Sequence, residues 1–232
     1  MLGNRLELCF NMIEKGMTVC DLGTDHGYLA CELVKRGICD LVIASDINEG
    51  PLSAAKKNIA EYGYEEKIPA ILSDGLEKIA DSVYADKINC VVIAGMGGET
   101  IIDILEKNLD FSAGCTLVLQ PMTRESMLRK WLYKNGFEIT KEEAVSDGKK
   151  VYVVLKAIYT GEKIDITEAT AIMGFADYSK EESKKYGTIQ FNKYMKKYKG
   201  QLNSKNEAEL EDMKNNLEEA ERILKNESKR NI

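Results

Sequence analysis

The chain has 232 residues, 44% of them hydrophobic and 30% charged, with 3 Pro, 18 Gly and a formal charge of −6, a composition ordinary for a folded protein. That length accommodates one full α/β domain plus something smaller. No apolar run reaches the roughly 18 residues of a membrane span, no continuous apolar h-region marks an export signal, and six cysteines without C-x-x-C spacing beside one histidine argue against zinc. The expectation is a cytoplasmic, metal-free chain with reduced, buried thiols.

Leu6, Cys9, Phe10 and Ile13 recur at helical spacing and predict a helix over 3–15. An apolar run over 17–22 then ends in Asp21-Leu-Gly-Thr-Asp-His-Gly-Tyr-Leu29 and a helical stretch over 28–35. Strand, glycine loop and helix in that order present backbone N–H groups to a ligand. Leu41-Val-Ile-Ala-Ser-Asp46 is a second strand, followed by a helix over 52–61 with Pro51 near its first turn. Ile68-Pro-Ala-Ile-Leu72, Ile88-Asn-Cys-Val-Val-Ile-Ala94 and Cys115-Thr-Leu-Val-Leu-Gln120 are the third, fourth and fifth strands. Helices are predicted over 99–107 and 124–135, the latter with Met127, Leu128, Trp131 and Leu132 on its inner side.

Strands alternating with helices at this interval imply a parallel sheet covered on both faces. The segments 137–141 and 150–156, joined by a polar turn containing Asp147-Gly148, read as an antiparallel hairpin at the sheet edge. The fold expected is a seven-stranded, mostly parallel, Rossmann-like α/β domain over 1–158.

Residues 159–232 read differently. After a connector with a short helix over 166–173, Phe191, Tyr194, Tyr198 and Leu202 repeat at helical spacing. Beyond a polar break at 203–206, Leu210, Met213, Leu217, Ala220 and Leu224 form an a/d seam. Two such helices predict an antiparallel helical hairpin, a short coiled coil. Residues 180–205 hold eight Lys (180, 184, 185, 193, 196, 197, 199 and 205) against Glu181 and Glu182. That cluster keeps an RNA partner open, with a solvated helix face as the alternative.

Candidate ligand groups fall at successive strand ends, where open α/β sheets bind. Gly23 and Gly27 let backbone approach a ligand. Asp46, 23 residues after Gly23, suits the two hydroxyls of a ribose, and Asp74 with Gly75 suits an adenine amino group. Asp21 and Asp25 suit a cation. A nicotinamide-dependent dehydrogenase shares the glycine turn and the distal acid. Here, however, the spacing is Gly-x-x-x-Gly, and Asp25 sits where a pyrophosphate would lie. The set complements S-adenosylmethionine, with its ribose, adenine, sulfonium and ammonium, and points to a class I methyltransferase.

The strings Asp21-Leu-Gly-Thr-Asp-His-Gly-Tyr-Leu29, Ala44-Ser-Asp-Ile-Asn-Glu-Gly-Pro-Leu52, Ala94-Gly-Met-Gly-Gly98 and Leu119-Gln-Pro121 resemble the bacterial tRNA adenine-22 N1-methyltransferases. The resemblance covers the chain to about Lys156, and the helical hairpin is similar to that family's coiled-coil extension. It implies methyl transfer from S-adenosylmethionine to N1 of a tRNA adenine. The cofactor residues it implies are Asp21, Gly23, Gly27, Tyr28, Asp46, Ile47, Asp74, Gly75, Ala94 and Gly95. Met122 stands where the family often carries Asn, so from that segment only Gln120 and Pro121 carry over toward the base. Arg5, Gly97, Gly98, Lys193, Lys196 and Lys197 complete the RNA-facing candidates, with no membrane and no obligate protein partner implied.

Because adenine N1 is an unprotonated nucleophile, the chemistry asks chiefly for positioning. Asp25, stabilising charge near the exocyclic amine, and His26, as an orienting hydrogen-bond partner, are the catalytic candidates. The target base must also leave its stack. Other readings left open are another RNA or a small-molecule acceptor, and a non-catalytic RNA-binding protein on the same fold.

Overall fold

The structure, a computed structural model, describes residues 2–202 and 206–225. Lys205 and most of the expected polar break therefore lie outside the described residues.

Seven strands form one sheet in the order β3-β2-β1-β4-β5-β7-β6. They are β1 (Val19–Leu22), β2 (Val42–Asp46), β3 (Ala70–Leu72), β4 (Cys90–Met96), β5 (Thr116–Pro121), β6 (Phe137–Asp147) and β7 (Lys150–Tyr159). The first five are parallel, β7 runs antiparallel to β5, and β6 pairs with β7. The run Cys90–Ile93 is wholly buried, as a strand covered on both faces must be. The hairpin strands run several residues further than their apolar pattern indicated. Their outer ends, 142–147 and 150–155, pair in continuous register.

On one face, α1 (Asn4–Met12), α2 (Tyr28–Lys35) and α3 (Glu49–Glu61) cover a core that includes Phe10, Leu33 and Ile59. On the other, α4 (Glu77–Ala80), α5 (Gly98–Lys107), α6 (Leu109–Ala113) and α7 (Glu125–Lys134) cover Ile79, Ile101, Leu105 and Leu128. The short α4 and α6 had no signal of their own in the sequence. Cys9, Cys20, Cys31, Cys39, Cys90 and Cys115 are free thiols and all buried. Among the described residues, no helix is long and apolar enough to cross a membrane.

Three helices follow the sheet: α8 (Glu168–Met173), α9 (Glu181–Gln201) and α10 (Glu207–Leu224). Met213, Leu217 and Ala220 are buried as the seam requires, whereas Ile223 rather than Leu224 completes its buried set. Tyr194 is buried opposite them, and Leu202 is 47% exposed. Ala169 and Met173 of α8 share a cluster with Ala220 and Ile223. The unit is thus a three-helix packing rather than a two-helix coiled coil alone.

What fastens it to the sheet is Arg129, a fully buried arginine on the α7 face where Met127 had been expected. Met127 is 48% exposed instead. The Arg129 guanidinium donates to both oxygens of buried Glu142 on β6 (2.7 and 3.2 Å), to the Ala171 carbonyl of α8 (2.7 Å) and to the Tyr186 hydroxyl of α9 (2.8 Å). Glu142 also accepts from the Phe175 N–H at 3.0 Å. Four elements meet on one ion pair whose donors and acceptors are mutually satisfied.

Removing one member leaves a desolvated charge behind. Arg129→Met and Glu142→Gln are each expected to cost about 3–5 kcal/mol in chemical denaturation, and the Arg129→Met/Glu142→Leu double variant to recover most of that loss.

Candidate active site

β1 lies at the point where strand order reverses, between β2 and β4, the crevice position for ligands in open α/β sheets. Asp21 sits near its end and is 4% exposed. Its Oδ2 accepts from the Thr24 hydroxyl at 2.7 Å, and no ion pair reaches it among the described residues. Burial pushes its carboxyl up to about 6, opposed by the Thr24 hydroxyl and reinforced by the Asp46 charge. A buried carboxylate without a cation is suited to receive one.

Asp25 follows with φ 52, a left-handed backbone uncommon outside glycine. Its N–H donates to Asp46 Oδ2 at 3.4 Å, and the Asn48 N–H donates to Asp46 Oδ1 at 2.9 Å. Asp46 thereby ties the β1–α2 loop to the β2–α3 loop. It keeps lone pairs for a ligand, since a carboxylate can accept about four hydrogen bonds.

Two cavities open here. The first, about 490 Å³, is lined by Asp46, Ile47, Asp74, Gly75 and, from α5, Ile104 and Lys107. Its size suits a drug-sized ligand. The Ser45 hydroxyl in its wall is buried without a hydrogen-bond partner. The second, about 240 Å³, is lined by Arg5, Asp21, Thr24, His26, Tyr28 and Leu29. Gly23, Asp25, Ala94 and Gly95 line both, so a ligand spanning the two passes these four residues. The Asp25 and His26 side chains lie at the mouth, 71% and 48% exposed, with His26 Nε2 3.8 Å from Asp25 Oδ1. The His26 ring stacks on Tyr28 with centroids 5.4 Å apart. Of the cofactor candidates, only Gly27 lines neither cavity. It caps α2 from a left-handed conformation.

The residues expected at the RNA lie apart from the two cavities, Arg5 excepted. Gln120 is wholly buried and lines neither cavity. Its side-chain oxygen accepts from Arg5 Nη1 (2.6 Å) and from the Gly95 N–H (3.0 Å), and its Nε2 donates to the Pro121 carbonyl at 2.8 Å. Pro121 is buried within β5 beside it. Neither lines a cavity. Gly98 is also buried: a Cβ there would lie 2.7 Å from the Arg124 carbonyl and 2.9 Å from that of Thr123. Its glycine serves packing of α5 against the β5–α7 turn. Gly97 stays half-buried beside it, and Lys193, Lys196 and Lys197 are exposed on α9, outside both cavities.

Thr24, Ser45, Ile104 and Lys107 join the site without having been singled out from sequence. Lys107 lies 3.6 Å from Asp74. Only the half-apolar face of α5 could have signalled Ile104.

Residues 2–155 match the protein family described as "Methyltransferase domain". The chain is 34% identical over 157 residues to the tRNA (adenine(22)-N(1))-methyltransferase of Bacillus subtilis, across 67% of this chain and 64% of that protein. The chain therefore aligns with somewhat under two thirds of that relative's length. It superposes on a crystal structure of a putative tRNA (m1A22) methyltransferase from Streptococcus pneumoniae with a TM-score of 0.81 and 30% identity, covering 97% and 100% of the two chains. The same Streptococcus protein in complex with S-adenosyl-L-methionine matches at a TM-score of 0.77.

A carboxyl whose folded-state value exceeds its unfolded one stabilises the fold fully below the unfolded value, and this contribution is lost as pH rises through the folded value. For Asp21 that window runs from about 4 to about 6. Asp21→Asn is expected to exceed the parent in stability above pH 6, by up to about 3 kcal/mol, and to match it near pH 4. Urea melts across that range measure the difference.

Proposed function

The chain belongs to the methyltransferase-domain family, among the bacterial tRNA (adenine-22-N1)-methyltransferases, and from that premise we propose that it methylates N1 of adenine 22 in tRNA, using S-adenosylmethionine, in the cytoplasm. The observation that carries this reading is the pair of cavities meeting at Gly23, Asp25, Ala94 and Gly95, with cation-free Asp21 in one and Asp46 in the other. Two further features fit that cofactor: the unpartnered Ser45 hydroxyl and the apolar walls of Ile47 and Ile104.

When bound, S-adenosylmethionine supplies an electrophilic methyl group and leaves as S-adenosylhomocysteine. Asp46 accepts from the ribose hydroxyls. Asp74, Gly75, Ile47 and Ile104 hold the adenine, and Asp21 takes the ammonium. Arg5, expected at the RNA, lines the second cavity opposite Asp21 and suits the carboxylate of the same amino-acid portion. Asp25, at the mouth shared by both cavities, accepts from the exocyclic amine of the target base and stabilises positive charge as it develops there. His26 and Tyr28 form a stacked wall beside it. Adenine N1 needs no base to deprotonate it, so these residues orient and shield rather than transfer protons.

Outside the cavities, α9 presents Lys193, Lys196 and Lys197 to solvent. The exposed positions of α10 carry Glu207, Glu209, Glu211, Asp212, Glu218 and Glu221 against Lys214 and Arg222, a net acidic balance. The hairpin thus offers a phosphate-attracting side and a phosphate-repelling one.

Labelled methyl transfer to unmodified tRNA transcripts, with the product nucleotide mapped, is expected to give 1-methyladenine at position 22. Label on another RNA, on a small molecule only, or on nothing would favour the corresponding alternative. Asp25→Asn should lower turnover at least tenfold with S-adenosylhomocysteine binding intact, and near-normal turnover would remove Asp25 from that role. Replacing Lys193, Lys196 and Lys197 with Glu should weaken tRNA binding and reduce its salt dependence by about one unit of log–log slope for each phosphate no longer neutralised, leaving cofactor affinity unchanged.

A further inference from the structure

We propose that Gln120 is a positioning residue whose single buried oxygen sets both the backbone at the junction of the two cavities and the guanidinium of Arg5. The inference rests on the proposed methyltransferase site and deepens it.

The β4–β5 ladder runs in step from Cys90↔Thr116 to Ala94↔Gln120, and then shifts so that Met96 pairs with Pro121. Gly95 is the extra residue of this bulge, at φ +81. A bulged residue loses its place in the ladder, and bulges beside active sites redirect the strand end. The Gly95 N–H, so displaced, finds its acceptor in the Gln120 side chain at 3.0 Å. A side-chain oxygen stands in for the missing strand carbonyl, and the Gly95 peptide is held at the wall common to both cavities.

The same oxygen accepts from Arg5 Nη1 at 2.6 Å. The other ties on Arg5 are looser: Asp147 at 3.9 Å and the Tyr152 ring at 6.0 Å. Gln120 is therefore the chief brace that keeps the guanidinium beside Gly95. Amide polarity fixes the arrangement. Nε2 donates to the Pro121 carbonyl at 2.8 Å, so a flipped amide would set NH2 against two donors and oxygen against an oxygen. Gln120 itself is fully buried, so its oxygen stays where the fold sets it, and Gly95 and Arg5 reach it from the part-exposed side that faces the cavities.

Gln120→Leu removes the acceptor and retains comparable bulk; Gln120→Glu, protonated on the oxygen that faces the Pro121 carbonyl, keeps both the acceptor and a donor there. Two readouts decide, both on the full chain. Gly95 amide hydrogen exchange, followed by NMR with S-adenosylhomocysteine present, should be at least tenfold faster in Gln120→Leu and near parental in Gln120→Glu. The kcat for methyl transfer at saturating cofactor should fall about 100-fold in Gln120→Leu, the scale of a misplacement near 1 Å, and by less than about tenfold in Gln120→Glu. Parental exchange and kcat in a folded Gln120→Leu would overturn the proposal, as would equal impairment of the two variants. Should Gln120→Leu fail to fold, Gln120→Glu decides alone: 100-fold loss with fast Gly95 exchange refutes it, and near-parental values support it. Failure of the parent chain to methylate tRNA would sink the functional assignment and leave the exchange test of Gln120 standing.

Discussion

The arrangement turns on a carboxylate kept out of water at the end of the central strand. A buried acid that, among the described residues, meets only the Thr24 hydroxyl is a standing cost to the fold, and the proposed function accounts for it with a ligand that brings the missing positive charge. Everything nearby depends on that placement. The glycine loop must turn sharply to leave the second cavity open. Asp46 must hold the next loop by its backbone to keep the two strand ends in step. Asp25 must sit in a left-handed conformation to keep its side chain at the mouth. The result is a pocket that is electrostatically unfinished until a cation arrives.

Much of this was legible in the sequence because strand ends are legible. Apolar runs closing on Asp21, Asp46, Ser73-Asp74 and Ala94-Gly95 announce a parallel sheet and its ligand edge together, and the structure gathers those residues around two adjoining cavities. Side-chain direction was not legible. Gln120 sits at a strand end like the others, but it points into protein, because the bulge at Gly95 leaves an N–H that needs an acceptor. No local pattern encodes that need. Gly98 likewise looks like a flexible loop glycine and is in fact a packing contact with the Thr123 and Arg124 carbonyls. Arg129 was invisible for the opposite reason. A charged residue on a helix reads as solvent-facing until Glu142, 13 residues on, and Tyr186, 57 residues on, are brought to it by the fold.

That buried pair also changes how the C-terminal helices are understood. Their own seam accounts for why α9 and α10 pack together, but not for why they hold a fixed relation to the sheet. Arg129 supplies the second answer by bonding to β6, α8 and α9 at once. The basic side of α9 is thereby presented from a rigid mount. Its distance from the cavities is set by the fold and not by a linker, so the RNA reading concerns shape and spacing as much as charge.

The six buried cysteines acquire a meaning in this light. The proposed function would bring a methylating agent to this chain, and a thiolate is a softer and faster acceptor of methyl groups than a ring nitrogen. Cys9 lies close enough to Asp21 and Arg5 to feel both charges, yet burial pushes its thiol up to about 12. Cys31, Cys39 and Cys115 are each pushed up to about 11, and Cys20 and Cys90 are raised as well. The same dense packing that builds the sheet thus keeps all six thiols buried and out of the walls of both cavities, away from any reagent bound there.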